Sequence, residues 1–197
     1  MFGDVGSGKT TVLRGAMTGL IDRYTADELV LAVMDTRGGL RDLAPDEYLG
    51  GFAGSSTEAR QLAAAIAVEL EKRQGDRASG PRIVVVVDDF DILTSGGTGP
   101  LEPLLPFLPS ARDLRLHVLL TRPVSGLQRA LFDRTLQALR ETGGTTLLMS
   151  GDRSEGQILP RVYAEPMVPG RGRLLRRGGS GVVVQVAAFG ASVGADR

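Results

Sequence analysis

Gly3-Asp4-Val5-Gly6-Ser7-Gly8-Lys9-Thr10 fits the pattern G-x-x-x-x-G-K-[ST], and it runs straight into a segment with helical periodicity. Both features follow from one physical task. Glycines let backbone N–H groups turn inward around phosphate oxygens. The helix that follows aims its positive dipole end at the same point. Lys9 can reach β- and γ-phosphates, and the Thr10 hydroxyl can ligate Mg²⁺. ATP with Mg²⁺ is the expected ligand pair. Gly3, Asp4, Val5, Gly6, Ser7, Gly8, Lys9, Thr10 and Thr11 are the candidate nucleotide-binding residues.

Working outward, residues 9–24 carry Val12, Leu13, Ala16, Met17, Leu20 and Ile21 on one face at helical spacing. Leu29-Val30-Leu31-Ala32-Val33-Met34 is apolar without alternation, the mark of a strand buried on both faces in a parallel sheet. Ser55-x-x-Glu58 is a capping box before a helix expected to end near Arg73. Ile83-Val84-Val85-Val86-Val87 is the strongest strand signal, five β-branched residues in a row. Pro103, Pro106 and Pro109 argue against a long regular helix over 101–110. Residues 116–121 and 145–149 read as further strands. Ser125-x-x-Gln128 reads as the cap of one helix reaching about Glu141. Residues 173–177 and 182–186 read as an antiparallel hairpin around a Gly-rich turn. Strands alternate with helices over most of the length, which is the α/β pattern with a parallel sheet.

The Ile83 to Val87 strand delivers Asp88 and Asp89 at its carboxyl end. This is a Walker B pattern in which Asp88 holds Mg²⁺ through its water shell. Asp89 either orients or deprotonates an attacking water, or ends the strand as a solvated acid. Many ATPases of this architecture have glutamate at that place. Aspartate is one methylene shorter, and catalytic positioning tolerates little displacement, so slow hydrolysis is expected. Thr121 ends the next strand, where a sensor would contact the γ-phosphate or the water; a plain strand end is the other reading. Arg122 is expected to be a surface residue, and His117 a packed one rather than a metal ligand.

Composition bounds the answer. At 197 residues and 42% hydrophobic the chain suits one domain, residues 1–197. Net charge is zero, which argues against nucleic acid as a partner. There is no cysteine, so disulfide and thiolate chemistry are excluded. No apolar run approaches the ~20 residues that span a bilayer. A phosphate-binding loop normally follows a buried strand, yet only Met1 and Phe2 precede Gly3. The first strand of the sheet is therefore expected to be missing, as in an N-terminally truncated fragment.

The loop, the 84–89 strand and Leu116-His117-Val118 together resemble the FtsK/SpoIIIE branch of P-loop ATPases. Ser150-Gly151-Asp152-Arg153-Ser154-Glu155-Gly156 and Pro169-Gly170-Arg171-Gly172-Arg173 are similar to a C-terminal ATPase module of EccC, the motor of type VII secretion. The resemblance implies a RecA-like core working beside sister ATPase modules, in a parent chain anchored at the inner face of the cell membrane. It implies secreted, small helical WXG-type proteins as partners. It also implies that such a terminal module can be a weak ATPase, or a module that holds ATP and docks a substrate. A DNA translocase of the same branch is a further reading, against which zero net charge counts.

Overall fold

The structure is a computed structural model that describes residues 1–75, 80–97, 99–159, 161–176 and 181–187. Its centre is a parallel sheet of β1 (Leu29–Met34), β2 (Leu49–Ala53), β3 (Arg82–Val87) and β4 (Leu116–Leu120), in the order β2-β1-β3-β4. The unbroken apolar runs are explained by what covers them. Ile83, Val85 and Val87 pack on one side with helix α2 (Ser56–Gly75) and a 3-10 segment Glu102–Ser110. Val84 and Val86 pack on the other with Leu13 and Met17 of helix α1 (Lys9–Ile21). Each fully buried aliphatic side chain contributes roughly 1.5–3 kcal/mol, so β3 is the axis of the core.

The capping box holds. Ser55 Oγ accepts from Glu58 N at 3.3 Å, and the Glu58 carboxylate accepts from Gly54 N at 2.8 Å. The prolines have the expected effect: residues 102–110 form 3-10 turns rather than an α-helix.

Two readings need correction. The helix expected from Ser125 to Glu141 is two helices, α4 (Leu127–Ala130) and α5 (Arg134–Glu141). Ser125 does not cap; Gly126 does, at φ 68°. Asp133 then starts a second helix, because its extended backbone lets its carboxylate accept from Thr135 N and Leu136 N. Strand β2 was absent from the sequence reading because Leu49-Gly50-Gly51-Phe52-Ala53 has poor strand propensity. Its glycines answer to packing: a Cβ at Gly50 would lie 2.4 Å from Val30 Cγ1, and one at Gly51 2.7 Å from Leu62 Cδ1.

Beyond β4 the pairing turns antiparallel. Strands β5 (Thr146–Met149), β8 (Arg171–Leu175) and β9 (Val182–Gln185) form a second sheet, and β6 (Gln157–Leu159) and β7 (Val162–Tyr163) form a small ribbon. The C-terminal hairpin is β8–β9, shifted by up to two residues from its expected bounds; its turn, 177–180, lies outside the described residues. Helix α3 (Phe90–Thr94) follows β3 directly.

Between β4 and β5 stands Phe2, bridging in parallel to Arg122 on one side and Leu148 on the other. Phe2 N donates to Leu147 O at 2.9 Å and Met149 N to Phe2 O at 2.7 Å. Arg122 N donates to Met1 O at 3.1 Å and Gly3 N to Arg122 O at 3.2 Å. Met1 and Phe2 thus lead into the loop from between β4 and β5.

Candidate functional site

The loop leaves that two-residue bridge at the carboxyl ends of the parallel strands and closes on itself. Ser7 N donates to Asp4 O at 3.1 Å, and Asp4 N is tied to Ser150 O at 2.8 Å. Gly6 and Gly8 have φ of 79° and 100°, a region that side chains rarely adopt. At Gly8 space adds a second reason, since a Cβ would lie 3.1 Å from Gly170 N. Gly170 N in turn donates to Ser7 O at 2.8 Å. Lys9 folds back over the loop, 8% exposed, with Nζ 3.2 Å from Asp4 O. The first N–H groups of α1 have no intrahelical partner. Ser7 Oγ is buried with no hydrogen-bond partner. Val5 and Thr11 are exposed.

Asp88, 3% exposed, is the hub. Thr10 Oγ1 donates to its Oδ2 at 2.6 Å, so loop and strand are joined by one short hydrogen bond. Thr121 Oγ1 donates to its Oδ1. Thr121 also accepts from Asp89 N at 3.0 Å. Asp89 has φ 48°, a left-handed conformation. Its Oδ2 lies 2.8 Å from Arg37 Nε, just past β1. Burial pushes the Asp89 carboxyl up, as does the neighbouring Asp88 charge, and Arg37 works in the opposite direction.

An anion cradle of backbone amides, a buried lysine, and a threonine bonded to a strand-end aspartate are the parts that a Mg²⁺–triphosphate requires. The orphaned Ser7 hydroxyl and the glycine backbone show that the residues present fit such a group.

No family model matches the chain. Among curated proteins it is 36% identical to the ESX-4 secretion system protein EccC4 of Mycobacterium tuberculosis, over 95% of this chain and 16% of that protein. It is 33% identical to the ESX secretion system protein EccC of Thermomonospora curvata, over 95% of this chain and 15% of the relative. Among solved structures, the cytoplasmic domain of the T. curvata type VII secretion ATPase EccC superposes with a TM-score of 0.88 at 32% identity, covering 96% of this chain and 23% of that one. ATPases 2 and 3 of T. curvata EccC, solved with a signal sequence peptide, match equally, with a TM-score of 0.88 at 32% identity, covering 96% of this chain and 36% of theirs. The chain belongs to the EccC-type ATPase modules. It spans about one sixth of the length of the curated relatives it matches.

In this EccC-type module the late motifs buttress the loop. Ser150 O holds Asp4 N, and Ser150 Oγ accepts from Met167 N at 3.1 Å. Asp152 caps a short 3-10 turn at Arg153–Glu155, and Glu155 accepts from Gly126 N at 2.8 Å. Pro169–Arg173 leads Gly170 under Ser7. Two expectations fail here. Arg122 is buried, 7% exposed, and donates to Pro123 O and Ser125 O. His117 is exposed on β4 rather than packed. Thr121 is fully buried, and its hydroxyl bonds to the Asp88 carboxylate and to Asp89 N. The sequence reading missed Arg37. A lone arginine in a turn carries no sequence signal; only folding brings it to Asp89.

Proposed function

We propose that this chain, acting as one unit over residues 1–197, is an ATP-binding module of a type VII secretion motor. In this reading ATP binding, with slow hydrolysis, is coupled to the export of small helical WXG-type proteins. The observation that carries it is the 2.6 Å bond from Thr10 to Asp88 beneath a loop that Lys9 crosses. Lys9 and the loop amides of residues 3–11 hold the phosphates by charge and hydrogen bonding. Thr10 and Asp88 would hold Mg²⁺, which neutralises charge on the β- and γ-phosphates when bound. Thr121 fixes the rotamer of Asp88. Asp89 accepts the proton of the attacking water once freed from Arg37.

Sister ATPase modules and a membrane-anchored parent assembly at the inner face of the membrane are the partners in this reading. The likeness to a T. curvata structure solved with a signal sequence peptide supports a secreted protein as substrate. Among the described residues no helix is long and apolar enough to cross a membrane, so anchoring would come through the parent chain. Isothermal calorimetry with Mg·ATP tests the assignment. Lys9→Ala should lose nucleotide affinity, and equal binding by wild type and variant would refute the site.

A second reading has its own observation. Arg37 engages the short Asp89 side chain at 2.8 Å, as suits a module that holds ATP without turning it over while docking a substrate. Phosphate release separates the two: a rate unchanged by Lys9→Ala, with wild type still binding ATP, selects the docking module.

A further inference from the structure

Asp88 and the turn that leads into β8 flank the phosphate loop on opposite sides. Along the carboxyl ends of the parallel strands, Asp88 follows β3 and Thr121 follows β4; Phe2 comes next, then β5, and β8 and β9 lie beyond it. β8 runs antiparallel to β5 with Gly172 opposite Met149, so its first residues stand at that same edge. In the reading proposed above, Thr10 and Asp88 mark the γ end of a triphosphate. The phosphates then cross the loop amides away from Asp88, and the nucleoside end comes out on the side of β8 and β9.

A braced turn occupies that side. In Val168-Pro169-Gly170-Arg171, Arg171 N donates to Val168 O at 3.0 Å. Proline stands second and Gly170 third at φ 78°, the placement that suits a type II turn. Gly170 N donates to Ser7 O at 2.8 Å, which fastens the turn to the phosphate loop itself. Val186 N donates to Gly170 O at 2.8 Å and Gln185 Nε2 to Pro169 O at 3.2 Å, which fastens it to β9. Gln185 Oε1 then accepts from Arg171 Nε at 3.3 Å, and these two residues are register partners across β8 and β9. The Gln185 amide thus holds the guanidinium by its Nε edge. Among the described residues no carboxylate pairs with Arg171. Arg171 and Val168 are both exposed, one at each end of the turn.

We propose that this turn is the nucleobase end of the nucleotide site, with Arg171 stacking its guanidinium on the base and Gln185 acting as its positioning residue. The proposal rests on the nucleotide reading and adds to it a residue that no phosphate contact requires. A guanidinium is planar, and it stacks on a π-face while its edge stays hydrogen-bonded. Val168 supplies an apolar contact at the other end of the turn. Stacking reads the face of a ring and not its edge, so the site accepts either purine. The Pro169-Gly170-Arg171 stretch therefore both braces the phosphate loop and holds the nucleoside.

The test is calorimetry on the 197-residue chain with three magnesium-bound ligands: ATP, GTP and inorganic tripolyphosphate, which has no base. Arg171→Ala should weaken ATP and GTP alike by about tenfold and leave tripolyphosphate unchanged. Arg171→Lys keeps the charge without the plane and should recover little of the loss. Gln185→Leu should weaken ATP by a smaller factor, roughly threefold, again without effect on tripolyphosphate. Lys9→Ala should weaken all three ligands. Arg171→Ala with wild-type ATP affinity, or with equal losses for ATP and tripolyphosphate, would overturn the base contact while leaving the phosphate site standing. Wild type that binds none of the three would overturn the nucleotide reading and this proposal with it.

Discussion

Replacing Thr121 by valine keeps the shape of the side chain and removes its hydroxyl. Thr121 is fully buried, and that hydroxyl makes two bonds: it donates to the Asp88 carboxylate and accepts from Asp89 N at 3.0 Å. A hydrogen bond to a charged group contributes about 1.5–3 kcal/mol and one to a neutral amide about 0.5–1.5 kcal/mol. Valine leaves Asp88 Oδ1 and Asp89 N–H facing a methyl group, so the expected loss is roughly 2–4 kcal/mol. For a chain of this size each kcal/mol moves the midpoint by about 2–4 °C, so the drop should be on the order of 10 °C. Urea denaturation of wild type, Thr121→Val and Thr121→Ser is the assay. Serine retains the hydroxyl and should recover most of the loss, short of about 1 kcal/mol for the buried methyl. A valine variant within about 0.5 kcal/mol of wild type would show that the hydroxyl supports neither carboxylate, and Thr121 would revert to a plain strand end.

Asp133→Ala removes the cap that starts α5 and should cost about 1 kcal/mol, with Asp133→Asn nearly neutral, as read by thermal unfolding. Under the proposed ATPase reading, Asp89→Asn should lower phosphate release while leaving ATP affinity in place, and unchanged turnover clears Asp89 of a catalytic role.

The sheet was largely legible because its signals are local. Residues 29–34 and 83–87 are continuous apolar runs that suit strands covered on both faces, and the structure covers them so. The loop was legible for the same reason: glycines at positive φ, then a lysine and a threonine at the head of a helix, are contiguous in the chain. What escaped depended on partners distant in sequence. β2 is a strand only because Val30 and Leu62 press on Gly50 and Gly51. The break at 131–133 was hidden because Ser125-x-x-Gln128 has the form of a helix cap, while the Asp133 cap requires an extended backbone that the residue pattern does not report.

By itself, the order of residues settled the α/β class, the glycine-rich loop that opens α1, and the strand that ends in Asp88, since each is written within one short segment. Only the tertiary structure decided that Thr121 braces Asp88, that Arg37 meets Asp89, and that Arg122 turns inward. Those are distances between segments that lie far apart along the chain. They are set when the two core layers close on the sheet, and no local propensity encodes them.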